Sequence, residues 1–212
     1  MTDRQSFAFF TKINRLFAAL SLLLMACQDS AQPWQSFGDI VTETRLLDSF
    51  SQFTASQSIQ LYLKQDLSAP ESLTITYGKN VMTGLVSDIQ QGKLTLEDRN
   101  KAKWLRNLNI SPICTLNVHN INKIRLEGNA KLTCLDTLKT PTLQLNINSV
   151  ENHRLWIHCG QLYGGIENSG QLEASGIATI FSWSCEKGGG LDARALLSDD
   201  VYMRHFTIHD VY

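Results

Sequence analysis

The chain has 212 residues, with 19 Lys and Arg against 20 Asp and Glu and a formal net charge of -1. That length allows one or two domains, and the charge balance leaves no basic footprint for nucleic acid. Only 18% of the residues are charged and 43% are hydrophobic. A real core is affordable, and the many Asn, Gln, Ser and Thr fit a β-rich exported protein better than a charged helical cytosolic one.

At the N-terminus Arg4, Lys12 and Arg15 precede an apolar run over residues 16–26. The run is too short to span a bilayer, and a basic flank with a small residue before the cut is what a secretory signal peptide requires. Leu24-Met25-Ala26-Cys27 resembles a bacterial lipobox, in which the cysteine thiol is acylated and becomes the first mature residue. The alternative is an ordinary secretory peptide with Cys27 incidental. On the lipobox reading residues 1–26 are the signal peptide, residues 27–41, with Pro33, a flexible tether, and residues 42–212 the folded domain. Several acyl chains, at about 0.8 kcal/mol per buried methylene, make such an anchor effectively permanent. The membrane is then a partner reached through Cys27, not one that the chain spans. Gln28, rather than Asp, follows the cysteine. By analogy with lipoprotein sorting in enteric bacteria this implies the outer membrane, facing the periplasm or the cell surface.

In the folded part, Phe50 and Phe53 precede Ile59-Gln60-Leu61-Tyr62-Leu63-Lys64, which alternates as a half-buried strand; residues 66–71, with Pro70, make a turn, and Leu73, Ile75 and Tyr77 form the return strand. The spacing of Val81, Leu85, Val86 and Ile89 fits a short or broken helix, or an irregular strand. Gln91-Gly92 ends it before Leu94-Thr95-Leu96 resumes alternation. Residues 93–106 read as a basic, polar hairpin or loop containing Trp104. Another strand covers residues 113–118, with Cys114, Leu116 and Val118 facing inward.

From residue 121 onward short alternating runs recur about every 19–21 residues. Lys123-Ile124-Arg125-Leu126-Glu127-Gly128-Asn129 is followed by Leu143-Gln144-Leu145-Asn146-Ile147-Asn148 and then by residues 162–170. A second set interleaves at residues 130–134, 154–159, 171–175 and 190–193. Alternation places Leu143, Leu145, Ile147, Leu155, Ile157 and Cys159 on the core side, and Gln144, Asn146, Trp156 and His158 on the wet side. One such rung cannot bury its apolar face alone, so neighbours must stack as a β-solenoid, with Gly and Asn at the corners. An antiparallel sandwich of the same short strands is the alternative.

Tyr77-Gly78-Lys79-Asn80-Val81, Gly92-Lys93-Leu94-Thr95-Leu96, Cys114-Thr115-Leu116-Asn117-Val118 and residues 121–130 together resemble the putative auto-transporter adhesin head GIN domain, over roughly residues 47–212. Family rungs tend to carry a Ser-Gly-Ser turn; here those places read Glu127-Gly128-Asn129, Asn168-Ser169-Gly170 and Ala174-Ser175-Gly176. The resemblance implies an all-β, right-handed parallel β-helix in an envelope protein of Bacteroidetes type. It also implies a non-catalytic adhesion or binding scaffold.

The remaining chemistry is sparse. Cys114, Cys134, Cys159 and Cys185 face an oxidising compartment. Cys134 and Cys159 end equivalent strands of successive rungs, which puts them about one strand spacing apart, either bridged or as a ladder of free thiols filling the core; parallel neighbours are poorly angled for a bridge. His119, His153, His158, His205 and His209 do not converge as metal ligands, since His158 and Cys159 face opposite sides. Asp192, Asp199, Asp200 and Asp210 concentrate acid in the last rungs, but without a second carboxylate at a repeated rung position they read as solvated turns. No catalytic residue, metal or cofactor is expected. Phe181 and Trp183 read as core, and Trp156, Tyr163 and Tyr202 as an exposed strip for a glycan or protein ligand. The last rung, from Val201, lacks a polar cap, so the C-terminal rung is expected to self-associate or meet a partner. The rival readings are a carbohydrate-active β-helix enzyme and a structural envelope or assembly factor.

Overall fold

The computed structural model describes residues 36–100 and 110–206. The signal peptide, Cys27, Trp104, His209 and the chain beyond Phe206 lie outside the described residues. In order the strands are β1 (Ile40–Leu46), β2 (Gln52–Ser56), β3 (Gln60–Lys64), β4 (Ser72–Gly78), β5 (Leu85–Gln90), β6 (Lys93–Asp98), β7 (Ile113–Asn117), β8 (Lys123–Gly128), β9 (Lys131–Cys134), β10 (Leu138–Ser149), β11 (Asn152–Ile166), β12 (Gln171–Cys185), β13 (Gly190–Leu197) and β14 (Asp200–His205). Among the described residues no helix is long and apolar enough to cross a membrane.

The strands wind into a parallel β-solenoid, not a sandwich. On one face, called A, β6, β2, β8, β10, β11, β12 and β14 lie side by side and parallel. On the other, face B, the parallel order is β7, β3, β9, β11, β12 and β13. The long strands β11 and β12 serve both faces by turning a corner. Lys123, Gln144, Tyr163, Ser182 and Tyr202 are successive register partners on face A, spaced 21, 19, 19 and 20 positions apart, which is the repeat read in the sequence. Leu143, Leu145, Ile147, Leu155 and Ile157 are fully buried between the faces.

Corners are where local sequence decides. Gly164 and Gly176 adopt positive φ, and a Cβ there would meet the carbonyl oxygens of Leu145 and Ile157 at 1.9 and 2.0 Å. Only glycine lets the neighbouring rung approach so closely. Gly164 is level with Trp183, which is buried and stacks on Phe181 at 5.8 Å between ring centroids.

The N-terminal part departs from the simple reading. β4 does not return against β3: β7 lies between them, parallel to β3 and antiparallel to β4. The chain leaves the rung β2–β3, crosses above it as the antiparallel strands β4 and β5, and turns at Gln91-Gly92. It then comes back as β6 and β7 to form a rung beneath them. Residues 93–98, expected in a hairpin or loop, are therefore a solenoid strand as well as a hairpin arm, with Leu94 and Leu96 fully buried. The segment between β4 and β5 is a 3-10 turn at Met82–Gly84. Residues 36–41, read as the end of the tether, pack here too: β1 adds antiparallel to β4, and the Phe37 ring sits edge-on to Tyr77 at 5.3 Å. The result is an antiparallel cap over one end of the core.

The cap is pinned by a set of buried hydrogen bonds, although Asn100 Oδ1 itself finds no partner. Tyr77 donates its hydroxyl to Asp98 Oδ2 at 3.0 Å, and Asn100 donates to Asp98 Oδ1 through its backbone at 3.1 Å and its amide at 2.7 Å. All three residues are buried, where an unpaired polar group would cost more than the bond returns.

Candidate functional site

Among the described residues, two large grooves stand out, one on each face. On face A, Tyr163, Ser182 and Tyr202 stand level on three adjacent strands with side chains outward, because Leu162, Phe181 and Trp183 between them are buried. The tyrosines are therefore two strand spacings apart, about 9.6 Å. Ser182 lies between them, and Ser184 and Arg204 stand one step along. A cleft of about 770 Å³ lies here, lined by Tyr163, Ser182, Ser184, Tyr202 and Arg204 together with Gly164, Trp183, Val201 and Met203. Tyr202 is 62% exposed. Beside Tyr163 the Ser184 side chain packs over Gly165, where a Cβ would meet the Ser184 Oγ at 2.2 Å. Trp156, expected in the same strip, is elsewhere: it is exposed on face B, level with Ser175. Alternation showed that it pointed outward but not which face its half of β11 joins.

Face B carries a surface that alternation did not reveal. Tyr62, Thr133, Arg154, Glu173 and Asp192 are successive register partners lining a groove of about 760 Å³. A second carboxylate does therefore stand at a repeated rung position, Glu173 beside Asp192, contrary to the sequence reading. It was missed because Glu173 belongs to an earlier rung and only the register brings the two level. Each is held by an arginine. Arg154 Nε donates to Glu173 Oε2 at 3.0 Å, and Arg194 grips Asp192 through Nη2 at 2.6 Å and Nε at 2.9 Å. Those side-chain hydrogen bonds, with one from the Arg194 backbone, hold the Asp192 carboxyl down at about 2. Acid catalysis of glycoside cleavage needs a carboxyl raised toward neutrality, and Asp192 is displaced in the opposite direction.

The cysteines lie inside, and the register corrects their spacing. Cys134 falls level with Leu155, since Thr133 pairs with Arg154, while Cys159 pairs with Thr140 and Ala178. No two are neighbours on adjacent rungs, because Cys159 lies past the corner that Cys134 precedes. All four are buried free thiols. Burial raises the thiol of Cys114 to about 12 and those of Cys134 and Cys159 to about 11, away from reactivity.

Among the described residues His153 is the one histidine driven into the core. Its Nδ1 accepts the Leu132 amide at 3.1 Å, which leaves the proton on Nε2, where it finds no partner. Burial, with a smaller contribution from Lys131, lowers it to about 4. Among the described residues no group of three His, Cys, Asp or Glu side chains could hold a metal.

A family model described as putative auto-transporter adhesin, head GIN domain, matches residues 49–209. Among solved structures, a putative adhesin from Bacteroides fragilis NCTC 9343 superposes with a TM-score of 0.76 at 20% identity, covering 82% of this chain and 79% of that one. A putative adhesin from Parabacteroides distasonis ATCC 8503 gives 0.60 at 14% identity, with 79% of each chain covered. A putative lipid binding protein from the same strain gives 0.59 at 14%, again with 79% of each covered. No curated protein matches the chain.

Proposed function

Because the chain belongs to the putative auto-transporter adhesin, head GIN domain family, we propose that it is a non-catalytic binding scaffold of the cell envelope, holding a glycan between Tyr163 and Tyr202. The cleft on face A carries this reading. A ring in contact on both faces needs about 7–8 Å between its flanking rings. A puckered sugar, thicker than a planar ring, matches the wider separation set by two strand spacings. The Ser182 hydroxyl between the tyrosines supplies hydrogen bonds, and the pairing of β11, β12 and β14 sets the spacing of the two walls.

Binding of the purified chain to immobilised neutral oligosaccharides tests this. Tyr202→Ala should weaken binding about tenfold, as the loss of an aromatic anchor does. Equal binding by both proteins would remove the cleft from the account. The address rests on Leu24-Met25-Ala26-Cys27 and predicts a lipid on Cys27 at the outer membrane. A fatty-acid probe should label wild type and not Cys27→Ala, and external protease should digest the protein on intact cells. Label without external digestion would favour a structural role facing the periplasm.

A further inference from the structure

One end of the solenoid is closed by the antiparallel cap, and among the described residues the other end is formed by β13 and β14. Along β14, Val201 is 58% exposed, Tyr202 62% and Met203 38%, and Leu197 at the end of β13 and Phe206 just after β14 are each at 69%. Val201 and Met203 are the inward-facing members, level with the buried Phe181 and Trp183; they belong to a core that stops at an edge. We propose that this edge pairs with a second copy of the chain, β14 against β14, antiparallel about a two-fold axis through Tyr202.

The choice of partner comes from the strand itself. Asp200-Val201-Tyr202-Met203-Arg204 is self-complementary when reversed: Asp200 falls opposite Arg204 of the second copy, Val201 opposite Met203, and Tyr202 opposite itself. Outward residues meet outward residues and inward meet inward, so the charge pairs form on the wet face while the apolar pairs continue the core. The backbone allows this register. The Phe206 amide donates to the Cys185 carbonyl at 2.9 Å, so by alternation the amides of Arg204 and Tyr202 also point at β12, and those of Val201 and Met203 point at the open edge. Val201 and Met203 of the two copies then exchange N–H and C=O as hydrogen-bonded pairs, and the two Tyr202 residues form the close, non-hydrogen-bonded pair on the axis. Within one strand Asp200 and Arg204 are about 13 Å apart, so neither can satisfy the other in its own chain. The two face A clefts would join into one strip across the axis, but the pairing does not depend on what that strip binds.

Sedimentation equilibrium over a concentration series tests the pairing. Wild type should dimerise, and Arg204→Asp, which sets like charges opposite each other, should weaken the dimer at least about tenfold with unchanged thermal unfolding at concentrations where both chains are monomeric. The double swap Asp200→Arg with Arg204→Asp should restore it. A second readout is independent of charge: Tyr202→Cys, in a chain also carrying Cys27→Ser, should oxidise to a disulfide-linked dimer, since the paired Cα atoms lie about 4.5 Å apart. The proposal is overturned by a wild type that stays monomeric, as it would if residues 207–212 covered the edge. It is equally overturned by a dimer indifferent to Arg204→Asp, by a swap that fails to restore pairing, or by no cross-link at position 202.

Discussion

Single positions set much of this molecule's behaviour, and His153 gives the clearest case. In the folded chain it takes its proton only near pH 4, against 6.5 for an unperturbed histidine. Between those values the unfolded chain binds more protons, so stability rises with pH across the window and is lost as pH falls through it. The loss should approach about 3 kcal/mol, and urea unfolding at a series of pH values should show it in wild type but not in His153→Asn. Gly164→Ala faces a backbone oxygen and a positive φ together; it should cost at least about 2 kcal/mol in the same assay. The four core cysteines should resist alkylation at pH 8 until the protein unfolds, read by mass. Inward and outward positions were legible residue by residue, because alternation is a property of one strand. That His153 would be orphaned on Nε2 was not legible, since this depends on what a neighbouring rung presents.

At the scale of elements the repeat predicted the rungs from β8 to β14 well, and the N-terminal third poorly. Rungs β8 onward follow one another in space as in sequence, so a single period describes them. The cap breaks that identity: β4 and β5 run antiparallel, and β6 and β7 form a rung that the chain reaches only after passing over it. Composition and alternation in Leu73, Ile75 and Tyr77 mark a strand, but nothing local names its partner. The bond from Tyr77 to Asp98 ties β4 to the end of β6. Removing it with Tyr77→Phe should cost about 1 kcal/mol. Hydrogen exchange should then rise in β1, β4 and β5 before it rises in β10 to β12, because repeat architectures lose their ends first.

For the whole molecule, the two faces divide the functional question between them. Face B gathers charge, with Glu173 and Asp192 level but each clasped by an arginine; face A gathers two tyrosines and two serines around an open cleft. Both surfaces are built from residues roughly one coil apart in sequence. Tyr163 and Tyr202 could be picked out as outward-facing aromatics, of which Tyr163 proves half-buried, but only the register showed that they share a wall-to-wall spacing and that Trp156 does not join them. The most direct test is a residue-resolved NMR titration of the isotope-labelled chain with a neutral oligosaccharide. Shifts confined to Tyr163, Ser182, Ser184 and Tyr202, with the oligosaccharide recovered intact, are the predicted result. Shifts centred on Arg154, Glu173 and Asp192, accompanied by shortened oligosaccharide, would contradict it and make the face B groove a catalytic site.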